Sequence, residues 1–263
     1  MSPPPIALLT DYGLRDGYHG ALRAVIFSIC PDARFLDVSH DVPPQNILTG
    51  AHLLASAGPY LPRGCIVLGV VDPGVGGTRH AIAVRTERML LVGPDNGLFS
   101  LLYRQDPPVK ALELNQQRFL LGNVSRTFHG RDIFAPVAAH LANDIPFDSL
   151  GTPIDIDSLE RLSFVEPEAD DVRIECHVVH VDGFGNLITD LERGQYLEWS
   201  GDDEVHIVVN SRRVYLADTF TSVAEGEPLA YFGSTGRLEI AVRNRNAAEV
   251  LGVQQSGTIT VHK

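Results

Sequence analysis

Hydrophobic positions along the first half of the chain fall into short apolar runs separated by stretches of helical spacing. Residues 6–9 form an apolar run that ends in Thr10-Asp11-Tyr12-Gly13 and predicts a strand. Residues 20–29 follow, with Ala21, Val25, Ile26 and Ile29 at helical spacing, and Pro31 stops that helix. A second strand is predicted at 35–38. A second helix at 47–57 carries Leu48, Ala51, Leu54 and Ala55 on one face. The run from Cys65 to Val71 is apolar throughout and predicts a buried strand. Residues 81–85 and 89–92 predict a strand pair around Thr86-Glu87. The break at 93–97 precedes a short helix at 98–103, a strand at 111–114 and a helix at 133–143, the last burying Phe134, Val137, Ala138 and Leu141. Strands alternating with helices predict an α/β domain with a mixed, mostly parallel sheet covered by helices on both faces.

The pattern changes near Phe164. Glu166-Pro167-Glu168-Ala169-Asp170-Asp171 is acidic and has nothing to bury, which predicts a linker. Beyond it come short strands at 173–181, 205–209, 213–215, 229–232, 238–242 and 257–261, divided by turn residues, with one helical turn at 246–251. That spacing predicts a small all-β barrel. The expected organisation is therefore an α/β domain at 1–165, a linker at 166–172 and a barrel domain at 173–263.

Composition narrows the function classes. The 263 residues carry a formal net charge of −12, which argues against nucleic acid or an anionic membrane as partner. No apolar run approaches the roughly 20 residues of a membrane span. The segment Met1-Ser2-Pro3-Pro4-Pro5 lacks the basic n-region of a secretion signal. Cys30, Cys65 and Cys176 are widely spaced in apolar surroundings, as expected of reduced core thiols in a cytoplasmic protein. Zinc and P-loop signatures are absent, and His40-Asp41 before Pro43-Pro44 is read as a rigid loop, so no metal site is expected.

The candidate chemistry sits where predicted strands run into Gly-rich polar turns. Val71-Asp72-Pro73-Gly74-Val75-Gly76-Gly77-Thr78-Arg79-His80 is the first such stretch, and Phe128-His129-Gly130-Arg131-Asp132 is the second. An Asp beside an Arg stays ionised and polarises a water, and a histidine shares that water near neutral pH. Asp72, Arg79 and His129 are the leading candidates, with His80 and Arg131 as rivals from the same loops. Asp132 is either a helix cap or the partner of Arg131. A plain turn closed by a surface ion pair is the simpler alternative. Asp11 is placed to accept hydrogen bonds from a ribose diol. Asp16 is open between that role and capping of the first helix. In the second half, Asp182-Gly183-Phe184-Gly185-Asn186 offers an aromatic face for a flat base and an amide to read its edge. The alternative is a hairpin with Phe184 in the core. Gly233-Ser234-Thr235-Gly236 is either a carboxylate-binding turn or a plain one.

The segments LLTDYGLRDGYHGALRAVI (8–26), VVDPGVGGTRHAIAV (70–84), VGPDNGLFS (92–100), TFHGRDIFAPVAAHLA (127–142), VDGFGNLITD (181–190) and GSTGRLEIAV (233–242) resemble the SAM hydroxide adenosyltransferases. These are S-adenosyl-L-methionine hydrolases that share a fold with the bacterial fluorinase and chlorinase. The resemblance implies an N-terminal α/β domain, a C-terminal β-barrel, and a homotrimer whose sites combine the N-terminal domain of one subunit with the C-terminal domain of the next. It implies conversion of SAM and water to adenosine and L-methionine without a cofactor. The water-holding triad falls on Asp72, Arg79 and His129, and the ribose acid on Asp11 with Asp16 nearby. Asp182 takes the methionine amine, Phe184 and Asn186 the adenine, and Ser234 the methionine carboxylate. Ala247, with Asn246, supplies a backbone contact to adenine. A 5′-halogenase and a non-catalytic SAM or adenosine sensor are the alternatives. Asp72 argues against the first, because it repels a halide, and the complete triad against the second.

Overall fold

A computed structural model describes residues 2–263. The chain divides into two compact units, one ending at Leu162 and the other spanning Ser163–Lys263.

The first unit is built on a seven-stranded mixed sheet. Its elements are β1 (Ile6–Thr10), α1 (Tyr18–Ile29), β2 (Phe35–Ser39), α2 (Ile47–Ala57), β3 (Ile66–Val70), β4 (Ala81–Thr86), β5 (Leu90–Pro94), α3 (Ser100–Gln105), β6 (Pro108–Glu113), α4 (Ala135–Ala142) and β7 (Thr152–Ile154). The strand order is β2-β1-β3-β5-β4-β6-β7. Strands β2, β1, β3 and β5 are parallel; β4, β6 and β7 extend the sheet antiparallel. The uninterrupted apolar runs of β1 and β3 follow from burial on both faces. Ile6 and Leu8 enter one core with Leu22 and Ile26 of α1 and Val137 and Ala138 of α4. Ala7 and Leu9 enter the other with Leu54 of α2 and Leu102 of α3. Asn46 caps α2, its side chain accepting the Thr49 N–H at 2.9 Å. The helix expected at 133–143 begins earlier, as a π-helical turn at Gly130–Phe134 that runs into α4.

The second unit is an antiparallel, nearly closed barrel. It comprises β8 (Glu168–Ala169), β9 (Arg173–Val181), β10 (Leu187–Glu192), α5 (Arg193–Ser200), β11 (His206–Val209), β12 (Arg212–Val214), β13 (Pro228–Phe232), β14 (Arg237–Val242), α6 (Ala247–Leu251) and β15 (Thr258–His262). The path is β12-β11-β15-β9-β10-β14-β13. Just past β12, Leu216 bridges to Ala230 of β13 and brings the two ends of the path together. Alternate residues of β9, β10, β14 and β15 fill one core, among them Ile174, Cys176, Leu187, Leu238, Ile240 and Val261. The acidic stretch expected as a free linker is part of this unit. Its β8 takes the edge of the first half of β9, while β10 pairs with the second half of that edge. The unit boundary accordingly falls at 162/163 and not in the acidic run. Strand β10 and helix α5 had no counterpart in the sequence pattern.

Candidate active site

In the first unit the chain leaves β3 through Val71 and enters two successive tight turns. Val75 N–H donates to the Asp72 carbonyl (3.2 Å) and Gly77 N–H to that of Gly74 (3.0 Å). Gly76 has φ +75°, and a Cβ there would lie 2.1 Å from the Arg126 carbonyl oxygen. Only glycine lets this loop rest on the loop preceding His129. The turns carry Arg79 back toward Asp72. Its Nε–H donates to Asp72 Oδ1 at 3.0 Å, one Nη2–H donates to Asp72 Oδ2, and Nη2 lies 2.8 Å from His129 Nδ1. The ion pair is well shielded, with 11% and 6% of the Arg79 and Asp72 side chains exposed. Guanidinium is a donor only, so Nδ1 of His129 must accept and its ring proton resides on Nε2. The imidazole is thus neutral. Burial lowers its pKa, and the Arg79 charge lowers it further against the opposing pull of Asp72 and Asp132.

Asp132 is fully buried and fixes the second loop from beneath. Burial opposes its ionisation, but hydrogen bonds from Arg131 Nε–H (2.6 Å) and Ser125 N–H (2.8 Å) outweigh that cost and hold its pKa down. Arg131 is thereby occupied. His80 is exposed and sits on Glu113 at 3.0 Å. A cavity of about 520 Å³ is lined by Asp11, Tyr12, Asp72, Phe128, His129 and Gly130, among others. Asp11 is steadied by the Gln45 N–H, which donates to its Oδ2 at 2.9 Å. The fold thus brings Asp11 to the same cavity as Asp72 and His129, with Arg79 tying the latter two together. Asp16 is exposed, does not line this cavity and makes no cap, since α1 is capped by Gly17 without a side-chain bond.

In the second unit, Asp182 organises its own loop. Its Oδ1 accepts the N–H of Phe184 (2.9 Å) and of Asn186 (2.8 Å), and its Oδ2 accepts Asn186 Nδ2–H (2.9 Å). Gly185, at φ +85°, lies so near Asn246 that a Cβ would fall 2.2 Å from that side chain, and its carbonyl accepts the Ala248 N–H at 3.0 Å. The loop is therefore seated on the start of α6. Phe184 is 82% exposed, which excludes the core hairpin reading. It lines a pocket of about 540 Å³ with Asn186, Phe220, Asn244, Arg245 and Asn246.

Both sets of loops lie within stretches that match a known family. The model of the SAM hydroxide adenosyltransferase N-terminal domain matches residues 6–151, and that of the C-terminal domain matches residues 176–260. The chain belongs to the SAM hydroxide adenosyltransferase family. A relative from Thermus thermophilus named (R)-S-adenosyl-L-methionine hydrolase is 42% identical over 95% of this chain and 96% of its own length. One from Salinispora tropica with the same name is also 42% identical, over 99% of both chains. The crystal structure of an uncharacterized conserved protein from Thermotoga maritima superposes with a TM-score of 0.92 at 35% identity, covering 98% of this chain and 100% of that one. Relatives named fluorinase are more distant, one from Actinopolyspora mzabensis being 26% identical.

Ser234 is exposed on the turn between β13 and β14, where Gly236 at φ +77° returns an N–H to the Gly233 carbonyl at 2.9 Å. Ala247 is fully buried in the barrel core, which leaves only its backbone for a ligand. Phe220 was missed in the sequence pattern. It lies in the irregular stretch between β12 and β13, 42% exposed, and a large aromatic amid Thr219, Thr221 and Ser222 was the available signal.

Proposed function

We propose that this protein hydrolyses S-adenosyl-L-methionine to adenosine and L-methionine by displacement at the ribose C5′. The observation that carries the reading is the Asp72–Arg79–His129 unit facing a cavity that also holds Asp11. In this reading Asp11 takes the ribose diol. The water stands between Asp72, which accepts a proton, and His129, whose Nε2–H donates to the oxygen. Arg79 holds both partners and does not itself touch the water. The C5′–O bond forms as the C5′–S bond breaks. The electron pair goes to sulfur, which becomes neutral, and the water's proton passes through Asp72 to solvent. A departing thioether needs no acid, so the chemistry calls for neither metal nor organic cofactor, and positioning supplies most of the rate.

Adenine is assigned to the pocket of the second unit, where Phe184 and Phe220 offer two aromatic faces, Asn186 an amide and residues 246–247 a backbone edge. Asp182 and Ser234 are assigned to the amine and carboxylate of the methionine end. The relatives' name specifies the R configuration at sulfur, and we extend that preference to this chain. Homotrimeric assembly and a cytoplasmic setting belong to the same proposal. Light scattering at three times the 28.7 kDa chain mass tests the former.

The test is incubation of each SAM epimer with the protein in halide-free oxygen-18 water, with Asp72→Ala as control. Adenosine labelled at the 5′ oxygen, lost in the variant, is expected. Binding without turnover points to a sensor, and turnover only on adding chloride or fluoride points to a halogenase; either overturns the proposal.

A further inference from the structure

Hydrogen-bond bookkeeping at the water site leaves one position open. A water that attacks C5′ aims one lone pair at carbon and has a second lone pair and two protons to satisfy. Arg79 cannot take either proton, because a guanidinium is a donor only; its Nε–H and both Nη2–H groups are committed to Asp72 and His129, and Nη1 donates toward the His80 carbonyl at 3.5 Å. His129 Nε2–H serves the second lone pair and Asp72 takes one proton. The other proton needs an acceptor that none of these three residues provides.

Tyr12 stands beside them. It lines the same cavity, and its ring packs edge-on against Phe128 (centroids 5.6 Å) and tilted against Tyr18 (6.0 Å), which together set the direction of its hydroxyl. That hydroxyl reaches the residue after His129: a Cβ on Gly130 would lie 2.2 Å from it. Gly130 leaves the space in which the oxygen sits. No hydrogen-bond partner for it occurs among the described residues, although Asp72 and Arg79 are close enough to act on its charge. Burial and the charges of Asp11 and Asp72 keep the phenol protonated, so it cannot serve as the base.

Building on the hydrolase reading, we propose that Tyr12 is a further catalytic residue, whose hydroxyl oxygen accepts a hydrogen bond from the second O–H of the attacking water and so fixes the water's orientation. Its ring packs as a phenylalanine would; the chemistry lies in the oxygen alone.

The experiment is Tyr12→Phe in the full-length protein, read as kcat and KM for SAM, adenosine affinity by calorimetry, and melting temperature. A fall in kcat of about tenfold is expected, the effect of one hydrogen bond, with the other three readouts unchanged. Gly130→Ala serves as the second variant. It displaces the hydroxyl in the native background, so its loss of kcat is expected to shrink in the Tyr12→Phe background. Unchanged kcat in Tyr12→Phe, with the wild type turning over, overturns this proposal alone. A fall in kcat matched by losses in adenosine affinity and melting temperature assigns the hydroxyl a structural role and also overturns it. A wild-type protein that releases no adenosine from SAM overturns the hydrolase reading and this proposal with it.

Discussion

Replacing Arg79 by lysine separates charge from geometry at the proposed water site. The guanidinium makes two parallel contacts with Asp72 and a third with His129 Nδ1 at 2.8 Å. Lysine keeps the positive charge, but its ammonium is a point donor and cannot span a carboxylate edge and an imidazole nitrogen together. At least two charge-assisted hydrogen bonds are therefore lost. Each is worth roughly 1.5–3 kcal/mol, and with 11% of the Arg79 side chain exposed there is little solvent to replace them. The lower bound, about 3 kcal/mol, corresponds to about 10²-fold in rate. A second consequence points the same way. Without a donor at Nδ1, His129 is free to carry its proton there, and Nε2 then faces the water as an acceptor. The expected result for Arg79→Lys is a fall in kcat of at least about 10²-fold with a small change in KM, measured by chromatographic assay of adenosine release. Melting temperature is followed alongside to confirm that the two loops remain assembled. A kcat within about threefold of wild type would refute the reasoning, because it would mean that charge alone, and not the bridge to His129, organises the site.

Other perturbations test separate parts of the structure. Phe184→Ala should leave the melting temperature unchanged, since the ring is 82% exposed, yet raise the SAM KM by about tenfold through lost stacking; a stability loss without a KM change would return the ring to a structural role. Asp182→Asn preserves an acceptor for the two loop N–H groups but removes the charge, and its new Nδ2–H is met by the Asn186 amide turning its oxygen toward it, so KM should rise while the melting temperature falls little; an unchanged KM would remove Asp182 from the methionine end. Activity should fall on the acid side below the ordinary histidine value near 6.5, because the neutral form of His129 is the one Arg79 can bond and its pKa is lowered. The unfolded chain takes up that proton at higher pH than the folded one, so stability too is lost as pH falls from about 6.5 through the lower folded value. An acid limb that survives His129→Asn, which keeps an acceptor for Arg79, would assign it elsewhere. Gly76→Ala should cost at least about 2 kcal/mol and several degrees in Tm, from its φ of +75° and the Arg126 carbonyl, whereas Gly74→Ala meets nothing nearer than 3.5 Å and should be tolerated.

What the sequence made legible follows burial. Strands β1 and β3 and most barrel strands were readable because apolar side chains must fill a core on one face or two. Helix α5 was not, since it buries only Tyr196 and Ser200 and is held at its start by a reciprocal cap between Glu192 and Gln195, a device without apolar period. Strand β7 is three residues long on the sheet edge, too short to show alternation. At the site, glycine-flanked polar loops marked Asp72 and His129, but their junction at Gly76 and Arg126 joins residues 50 apart and has no local signature. The same limit applies to Asp16: adjacency to a helix suggested a cap, and the fold leaves the start of α1 without a side-chain bond and the Asp16 carboxylate exposed. Phe220 lies outside every strand, and only the pocket it shares with Phe184 gives it meaning.

Charge at the site favours water over a halide as nucleophile. Asp72 and Arg79 neutralise one another, and His129 is uncharged, so the triad presents no net positive charge to an anion. A halide in contact with His129 would lie beside a carboxylate only 6% exposed, where repulsion is poorly screened and no free cation of the triad compensates. Water has the opposite requirement. It is neutral on arrival and becomes attacking only as a proton leaves, and in the proposed mechanism the carboxylate that would repel a halide is the acceptor for that proton. Asp72→Asn therefore separates the two chemistries. It should abolish hydrolysis at any salt concentration. It should gain no more than weak halide-dependent turnover, because the Arg79 charge it frees remains directed at His129 Nδ1 and away from the C5′ position. Substantial chloride-dependent formation of a 5′-halo nucleoside by this variant would show that the carboxylate, and not the surrounding pocket, is the whole barrier to halide chemistry.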